Sequence, residues 1–228
     1  MNIVIINGSP RKKGATSKIL HMLEGKLLEY DDVKIEYYDL VDLEIKMCIG
    51  CCVCYKNGKC HINDDAEMLS DKISTADGLI IGSPTYASNV SGMLKVFIDR
   101  GHFVIEQLLY GKYAISVATG ENYGSNDTSK ILNKLVQYSG ALLTGKIVYN
   151  TPFNKEITDD RLNNRVSTLA SKYYLDIKNR RKYPIQSIIH SIIFNIGIKS
   201  FVKCKGENYQ GVLDKWKEKD IHFIKRRF

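Results

Sequence analysis

The cysteines of this 228-residue chain are concentrated in one segment, CIGCCVCYKNGKC, which runs from Cys48 to Cys60. Cys48, Cys51, Cys54 and Cys60 follow the spacing C-x2-C-x2-C-x5-C, and Cys52 is an additional thiol. A tight loop can aim three thiolates at intervals of three residues at one iron–sulfur cubane. Structural zinc more often uses two separated Cys-x-x-Cys pairs. The spacing favours a [4Fe-4S] cluster on these four cysteines, or free redox thiols, over zinc or a disulfide.

A second segment whose residue types could bind a ligand is GSPRKKGATSK, residues 8–18, which lies between an apolar run and a helical pattern. A loop of this kind offers free N–H groups and the positive end of a helix dipole to an anion. Its spacing matches neither G-x-x-x-x-G-K-[ST] nor G-x-G-x-x-G, so it does not predict those nucleotide loops. It predicts a phosphate cradle, in which the candidate ligands are Ser9, Arg11, Lys12, Lys13, Thr16 and Ser17.

Two more loops follow later apolar runs. They are SPTYASNVSGMLKVFIDR, residues 83–100, and TGENYG, residues 119–124. Backbone amides and Tyr86 could border a flat aromatic ring, and Tyr123 offers a second aromatic side chain. Ser91 is expected to cap the helix that follows it. The three loops together predict one flat, anionic ligand.

Short apolar runs and helical patterns alternate along residues 1–150. Continuous apolar strands of this kind are typical of a parallel sheet that is covered by helices on both faces. Ligands of such sheets bind beyond the carboxyl ends of the strands. We therefore predict a flavodoxin-like α/β three-layer sandwich with a five-stranded parallel sheet in the order 2-1-3-4-5. The predicted strands are 2–6, 33–38, 78–82, 113–118 and 142–149, and the predicted helices include 16–29, 65–75 and 128–138.

Residues 151–228 break this alternation, so we predict a domain over 1–150 and a basic, mainly helical extension over 151–228. Residues 1–150 carry 16 Lys and Arg against 17 Asp and Glu, and residues 151–228 carry 17 against 8. From Pro184, the extension contains the apolar stretch PIQSIIHSIIFNIGIKSFV, which is either one helix or a helix broken at Gly197. Packing on its own domain or on a partner subunit is favoured over binding to a membrane surface.

The composition is that of a globular protein, with 44% hydrophobic and 25% charged residues. The start MNIVIINGSP lacks a basic region and a long apolar run, so we expect no secretory signal. The longest apolar runs are short for a membrane span, so we expect no transmembrane segment. These features predict a cytoplasmic protein, in which thiols stay reduced.

The loops carry a family resemblance. INGSPRKKGATSK and SPTYASNVSGMLKVFIDR resemble the phosphate and isoalloxazine loops of the NAD(P)H-dependent FMN reductase family, over about residues 1–150. The cysteine spacing resembles the iron–sulfur flavoprotein branch of that family, and it also resembles cluster-free members. The resemblance implies bound FMN, NAD(P)H as co-substrate, and a homodimer or higher homo-oligomer. It implies a phosphate site of Ser9, Arg11, Thr16 and Ser17, and a flavin border of Pro84, Thr85, Tyr86, Asn89, Val90, Thr119 and Gly120.

The leading hypothesis is an FMN-dependent oxidoreductase that passes electrons from NAD(P)H to a quinone, a nitroaromatic compound, a flavin or a similar acceptor. The flavin would carry the chemistry, so no side chain is expected to be catalytic. The alternative is an electron carrier with a [4Fe-4S] cluster, whose partner would be a redox protein. A redox-responsive nucleic-acid binder ranks below both, because the sequence has no groove-reading element or stacking platform.

Overall fold

A computed structural model describes residues 1–153, 155–157 and 159–221. Its sheet contains five parallel strands which, numbered along the chain, lie in the order 2-1-3-4-5, and this confirms the predicted flavodoxin-like topology. The registers are regular except for one shift between Ala114 and Ile115. The carboxyl ends of all five strands therefore lie at one edge of the sheet. The strands are β1 (Asn2–Asn7), β2 (Lys34–Asp39), β3 (Gly78–Pro84), β4 (Tyr113–Gly120) and β5 (Leu142–Asn150).

The predicted helices are present, and their ends either coincide with the predicted ones or differ by up to three residues. Ser91 caps the helix that begins at Gly92, as predicted, because its hydroxyl accepts a hydrogen bond from the N–H of Leu94 at 3.2 Å. Short 3-10 turns occupy Leu40–Asp42 and Gly206–Tyr209. The helices are α1 (Ala15–Leu27), α2 (Val53–Asn57), α3 (Asp65–Thr75), α4 (Gly92–Arg100), α5 (Ser125–Tyr138), α6 (Asp160–Lys178), α7 (Pro184–Ile192), α8 (Lys199–Cys204) and α9 (Gln210–Glu218).

Helices cover both faces of the sheet. Helices α3, α4 and α5 bury side chains such as Leu69, Phe97 and Leu132 against one face. Helices α1 and α6 bury side chains such as Leu20 and Val166 against the other. The central strands are apolar on both sides because both sides are covered, as expected for a parallel sheet.

Helix α6 shows that the first part of the extension completes this second face. The side chain of Tyr173 is fully buried, and its hydroxyl donates to the carbonyl of Tyr113 at 3.2 Å. A Cβ added at Gly78 would collide with the Tyr173 ring. The glycine is therefore needed for close helix–strand packing. The division at residue 150 stays a prediction, since nothing in this packing separates two domains.

The stretch from Pro184 to Cys204 forms one continuous helix, here called the apolar helix, which includes a π-helical turn at Ile193–Ile198. Gly197 therefore does not break it. One side packs on the domain through Phe194, Ile198 and Val202. Among the described residues it is the one helix long and apolar enough to cross a membrane, judged by length and composition alone, and 17% of its apolar window is buried. The expectation of no transmembrane segment stays a prediction.

Candidate functional site

The three predicted ligand loops converge on one cleft of about 600 Å³ at the carboxyl edge of the sheet. The loop after β1 forms one wall, and the loops after β3 and β4 form the others. Of the eleven residues that the family resemblance assigns to the FMN site, six line this cleft. They are Arg11, Pro84, Thr85, Tyr86, Thr119 and Gly120.

The wall formed by residues 8–18 suits an anion. Helix α1 begins after Gly14, and its first turn contains no acidic residue. The first N–H groups of a helix have no intrahelical acceptor, and the helix dipole is positive there. The side chains of Arg11, Lys13 and Lys18 line the cleft around this helix start. The wall therefore combines backbone donors with positive charge.

Three predicted phosphate ligands in this wall have other partners in the structure. The Ser9 hydroxyl accepts from the N–H of Arg11 at 3.1 Å and donates to its carbonyl at 3.2 Å, so it shapes the loop. Thr16 Oγ1 lies 2.7 Å from Thr119 Oγ1, and both side chains are buried. Ser17 is fully buried, and its hydroxyl lies 3.4 Å from that of Tyr37. Their roles as phosphate ligands stay predictions.

The second wall is a tight turn that contains a buried hydroxyl without a partner among the described residues. The N–H and carbonyl groups of Tyr86 and Asn89 bond to each other at 3.0 Å in both directions. Thr85 donates its N–H to the carbonyl of Thr119 at 2.7 Å. Thr85 Oγ1 is buried and has no hydrogen-bond partner within the described part of the chain. A buried hydroxyl without a partner is costly, so this atom is suited to a ligand. Val90, predicted to border the flavin, is a buried core residue next to this turn.

One hydrogen bond joins the two walls. The hydroxyl of Ser91 donates to the carbonyl of Gly8 at 2.5 Å, while the N–H of Gly8 donates to the carbonyl of Gly82 at 2.8 Å. A Cβ on Gly8 would lie 2.9 Å from that same carbonyl oxygen. The spacing between the anion wall and the ring wall is therefore fixed by the protein before any ligand enters.

Two aromatic side chains line the remaining rim, one that the sequence analysis identified and one that it did not. Tyr123 lines the cleft, as does Phe153, which follows β5. The guanidinium of Arg11 lies 4.6 Å from the centre of the Phe153 ring. Phe153 follows the carboxyl end of the fifth strand, so the rule that selected the other loops could have found it. The arrangement fits FMN, since it offers cations to a phosphate, a lone hydroxyl to a polar ring edge and aromatic faces to a flat ring.

The cysteine loop, residues 48–60, is mostly open to solvent. Cys51 Sγ lies 3.7 Å from His61 Nδ1, and Cys52 Sγ lies 3.5 Å from the carbonyl oxygen of Gly50. Burial, followed by the nearby thiol of Cys60, raises the pKa of Cys54 to about 12. Within residues 1–153, 155–157 and 159–221, no three Cys, His or acidic side chains are placed to hold a metal ion. In this conformation the loop does not fit a [4Fe-4S] cluster.

A buried ion pair connects the cysteine loop to helix α4. The Arg100 guanidinium donates to both carboxylate oxygens of Asp64, at 2.6 and 3.0 Å, and the two side chains are 2% and 0% exposed. Arg100 also donates to the carbonyls of Lys46 and Ile62. Burial alone would raise the pKa of Asp64, but the hydrogen bonds from Arg100 and from the N–H groups of Lys46 and Ala66 hold it below its usual value. The pair fixes the ends of the loop relative to the sheet.

Helix α9 packs on the other side of the cysteine loop. The backbones of Gly58 and Gly211 touch, since a Cβ at Gly211 would overlap the Gly58 backbone. Glu106 Oε2 accepts from Lys215 Nζ at 2.7 Å beneath this contact. Burial raises the pKa of Glu106, and the charge of Lys215 opposes that rise. The end of the extension and the cysteine loop are thus one packed unit within this chain.

Comparisons with known proteins agree with this geometry. The family model for NADPH-dependent FMN reductases matches residues 1–155. An iron–sulfur flavoprotein of Clostridioides difficile is 39% identical over 224 residues, covering 97% of this chain and 100% of that protein. An iron–sulfur flavoprotein of Methanocaldococcus jannaschii is 31% identical over 150 residues, covering 64% of this chain and 76% of its own length.

Solved structures share the fold. The apo form of NADH:FMN oxidoreductase (EMOB) has a TM-score of 0.62 at 22% identity, covering 77% of this chain and 89% of that one. Oxidised flavodoxin 1 from Bacillus cereus has a TM-score of 0.52 at 18% identity, covering 76% of this chain and 97% of that one. Because the family model matches well over half of the sequence, the chain belongs to the NADPH-dependent FMN reductase family and is an oxidoreductase with a flavodoxin-like fold.

Proposed function

We propose that the cleft binds FMN and that the protein uses it to pass electrons from NAD(P)H to a quinone, a nitroaromatic compound, a flavin or a similar small acceptor. The observation that carries this proposal is the meeting, in one cleft, of a helix start ringed by cations and a buried hydroxyl without a partner. FMN, when bound, supplies the hydride and electron chemistry, while the protein supplies binding, orientation and electrostatics.

The start of α1 would hold the FMN phosphate. Its first-turn N–H groups would donate to the phosphate oxygens, as at other helix N-termini that bind anions. Arg11 can add a charge-assisted, two-pronged hydrogen bond, and Lys13 and Lys18 add positive charge. The buried contact between Thr16 and Thr119 would keep this helix start at a fixed distance from the third loop.

The turn after β3 would border the isoalloxazine ring. The Thr85 hydroxyl, which lacks a protein partner among the described residues, would be satisfied by a polar ring atom. Tyr86 and Tyr123 are 46% and 75% exposed on the cleft rim. They would leave one face of the ring open to a stacked nicotinamide or acceptor. This open rim suits small flat acceptors more than a deeply enclosed substrate.

A comparison of FMN with riboflavin tests the phosphate assignment. Arg11→Ala removes a charge-assisted hydrogen bond worth about 2 kcal/mol, which corresponds to a roughly thirtyfold weaker Kd for FMN. The Kd for riboflavin, which has no phosphate, should change less than about twofold. Absorbance titration of the flavin-free protein measures both constants.

Lys12→Ala is the matched control. It removes the same charge from the neighbouring position, but Lys12 Nζ is paired with Asp42 at 2.5 Å and does not line the cleft. Equal losses of FMN affinity in the two variants would mean that Arg11 acts only through the net charge of the protein. Equal losses of FMN and riboflavin affinity in Arg11→Ala would mean that the phosphate is bound elsewhere.

The nicotinamide and the acceptor are tested by steady-state kinetics. The FMN-loaded protein should oxidise NADPH or NADH in the presence of a quinone, with parallel double-reciprocal lines as both substrates use the same open face. Failure to oxidise either nicotinamide while FMN remains bound would refute the reductase proposal and leave the FMN site intact.

A second candidate function is an electron carrier with a [4Fe-4S] cluster on Cys48, Cys51, Cys54 and Cys60. Two observations support it: several relatives are named iron–sulfur flavoproteins, and the thiols share one solvent-facing loop. The loop would have to rearrange to gather the thiols, because in the described conformation no three of them are placed together. We therefore derive no electron-transfer step through a cluster.

Iron content decides between the candidates. Anaerobic purification should yield about four irons per chain if the cluster forms. Cys51→Ser should then lose the iron, while Cys52→Ser, at the thiol outside the motif, should retain it. Iron-free protein after anaerobic purification would exclude the carrier proposal. A homodimer or higher homo-oligomer and a cytoplasmic location complete the proposal, and light scattering would test the former.

A further inference from the structure

The apolar helix presents a row of isoleucines that the described chain does not cover. Ile185, Ile188, Ile189, Ile192 and Ile196 are between 52% and 74% exposed, and we call these five the apolar face. Their spacing of three and four residues places them along one side of the helix. Contiguous exposed apolar surface of this kind marks an interaction site.

The opposite side of the helix is bound to the domain along its length. The Gln186 side chain exchanges hydrogen bonds with the N–H and the carbonyl of Leu143, at 2.8 and 3.0 Å. His190 Nε2 lies 2.7 Å from Gln107 Oε1. Phe194 packs edge-on against the Trp216 ring, with centroids 4.9 Å apart. The helix therefore lies flat on the protein and turns the apolar face outward.

The charged residues of the apolar helix and of the segments directly flanking it in sequence are basic. Between residues 177 and 206 the sequence contains seven basic residues and no Asp or Glu. Arg180 and Lys182 are exposed just before the helix, and Lys203 and Lys205 are exposed at its end. Lys205 Nζ also lies 5.2 Å from the centre of the ring of Phe201, which is 45% exposed. Isoleucines flanked by lysines and an aromatic ring are typical of helices that lie in a lipid interface.

These charges favour a lipid surface over a second copy of the chain. In an antiparallel pair of these helices, Lys203 and Lys205 would lie beside Arg180 and Lys182 of the second copy. In a parallel pair, each lysine would lie beside its own counterpart. Both arrangements place like charges beside each other, which is unfavourable in either case. An anionic bilayer surface attracts the basic flanks instead.

We infer that the apolar helix docks this protein on an anionic lipid bilayer, with its axis in the plane of the interface and the isoleucines of the apolar face inserted among the lipids. This inference rests neither on bound FMN nor on a metal cluster in the cysteine loop. Each basic residue near such a surface contributes a roughly fivefold increase in binding. The attraction should weaken with salt, because the screening length falls from about 10 Å at 0.1 M to about 3 Å at 1 M.

Vesicle sedimentation of the FMN-loaded full chain tests the inference. Vesicles of phosphatidylcholine with about 30% phosphatidylglycerol should retain the protein at about 0.1 M salt, and pure phosphatidylcholine should retain it at least tenfold less. Raising the salt to about 1 M should release at least tenfold more protein from the anionic vesicles. No retention on anionic vesicles would overturn the inference.

Variants of exposed residues identify the surface. Ile188→Gln with Ile192→Gln should lower vesicle affinity at least about thirtyfold, because two inserted side chains are lost. The matched control, Leu28→Gln with Leu175→Gln, changes two leucines that are 54% and 50% exposed outside the apolar face. It should change vesicle affinity less than about twofold. Both pairs should keep the FMN content and the circular dichroism spectrum of the original protein.

Two other results would contradict the docking mode. A dimer that the Ile188→Gln, Ile192→Gln variant converts to monomers in light scattering would show that a second copy covers the apolar face. Equal retention on neutral vesicles that resists both high salt and alkaline carbonate would show that the helix inserts across the bilayer. The inference would be supported if the isoleucine variant lost vesicle binding, the leucine control kept it, and the oligomeric state of both stayed unchanged.

Discussion

The buried pair of Asp64 and Arg100 offers a sharp test of how the cysteine loop is held. Removing the carboxylate with Asp64→Ala leaves the Arg100 guanidinium inside the protein with two carbonyl groups and the Cys60 thiol as partners, and its Nε already lacks a partner among the described residues. Breaking a buried ion pair costs about 3–5 kcal/mol. Asp64 also caps α3 by accepting the N–H of Ala66 at 3.1 Å, and losing a cap costs about 1 kcal/mol. We expect a loss of about 4–6 kcal/mol in the free energy of unfolding.

Urea unfolding followed by circular dichroism at pH 7 measures this loss. Arg100→Met removes the other partner, and the double variant removes both charges. The stability losses caused by mutating two residues in contact do not simply add, so the double variant should be about 3 kcal/mol more stable than the sum of the single losses predicts. Asp65→Ala is the matched control, because Asp65 accepts one backbone N–H, from Glu44, and should cost about 1 kcal/mol.

The same pair predicts a pH dependence. Burial opposes ionisation of Asp64, but the hydrogen bonds from Arg100 and two N–H groups hold its folded pKa below the unfolded value of about 3.9. A lowered carboxyl pKa stabilises the fold above the unfolded pKa, and this stabilisation is lost as the pH falls through the folded pKa. The difference between the original protein and Asp64→Ala should be constant from pH 7 to about pH 5 and shrink below about pH 4. The reasoning would be refuted if the losses of the two single variants added up to that of the double variant, or if Asp64→Ala lowered the free energy of unfolding by less than about 1 kcal/mol.

Three further changes test the packing of the extension. Gly78→Ala would push a Cβ into a buried tyrosine ring of α6 and should lower the free energy of unfolding by about 1–3 kcal/mol in urea titrations. Gly211→Ala would overlap the backbone of Gly58, so it should speed proteolysis of the C-terminal segment and leave FMN affinity unchanged. Lys215→Met would remove the cation that opposes the rise in the pKa of Glu106. The stability of this variant should therefore fall as the pH rises above about 4.5, and thermal unfolding between pH 4.5 and 8 measures that fall.

Much of the fold could be predicted from the sequence because its strands are short, apolar and separated by helical patterns. The predicted strand at 142–149 corresponds to Leu142–Asn150, and the predicted helix at 65–75 has those same ends. The part that could not be predicted is the covering of the second sheet face by α6. That contact depends on a missing side chain at Gly78 that admits the ring of Tyr173, and such a match in space has no signal along the chain.

The candidate site divides in the same way. The loops were predictable because the carboxyl ends of parallel strands meet at one edge, and Arg11, Thr85 and Gly120 line the cleft there. The directions of side chains within a loop were not predictable. Ser17 is a hydroxyl residue at a helix start, as a phosphate ligand would be, yet its side chain turns toward Tyr37 in the interior. Cysteine spacing likewise fixes distances along the chain and leaves the loop conformation undetermined.

The contact between the backbones of Gly58 and Gly211 links the thiols to the only tryptophan of the chain. Trp216 lies on α9, and its indole N–H donates to the carbonyl of Ile105 at 3.0 Å. Tyr55, inside the cysteine loop, stacks on Tyr209 at 4.8 Å and borders the same cluster. A rearrangement of the thiols that moves Gly58 or Tyr55 would therefore displace α9 or its neighbours. The emission of Trp216 becomes an intrinsic optical reporter of metal loading, readable without a label.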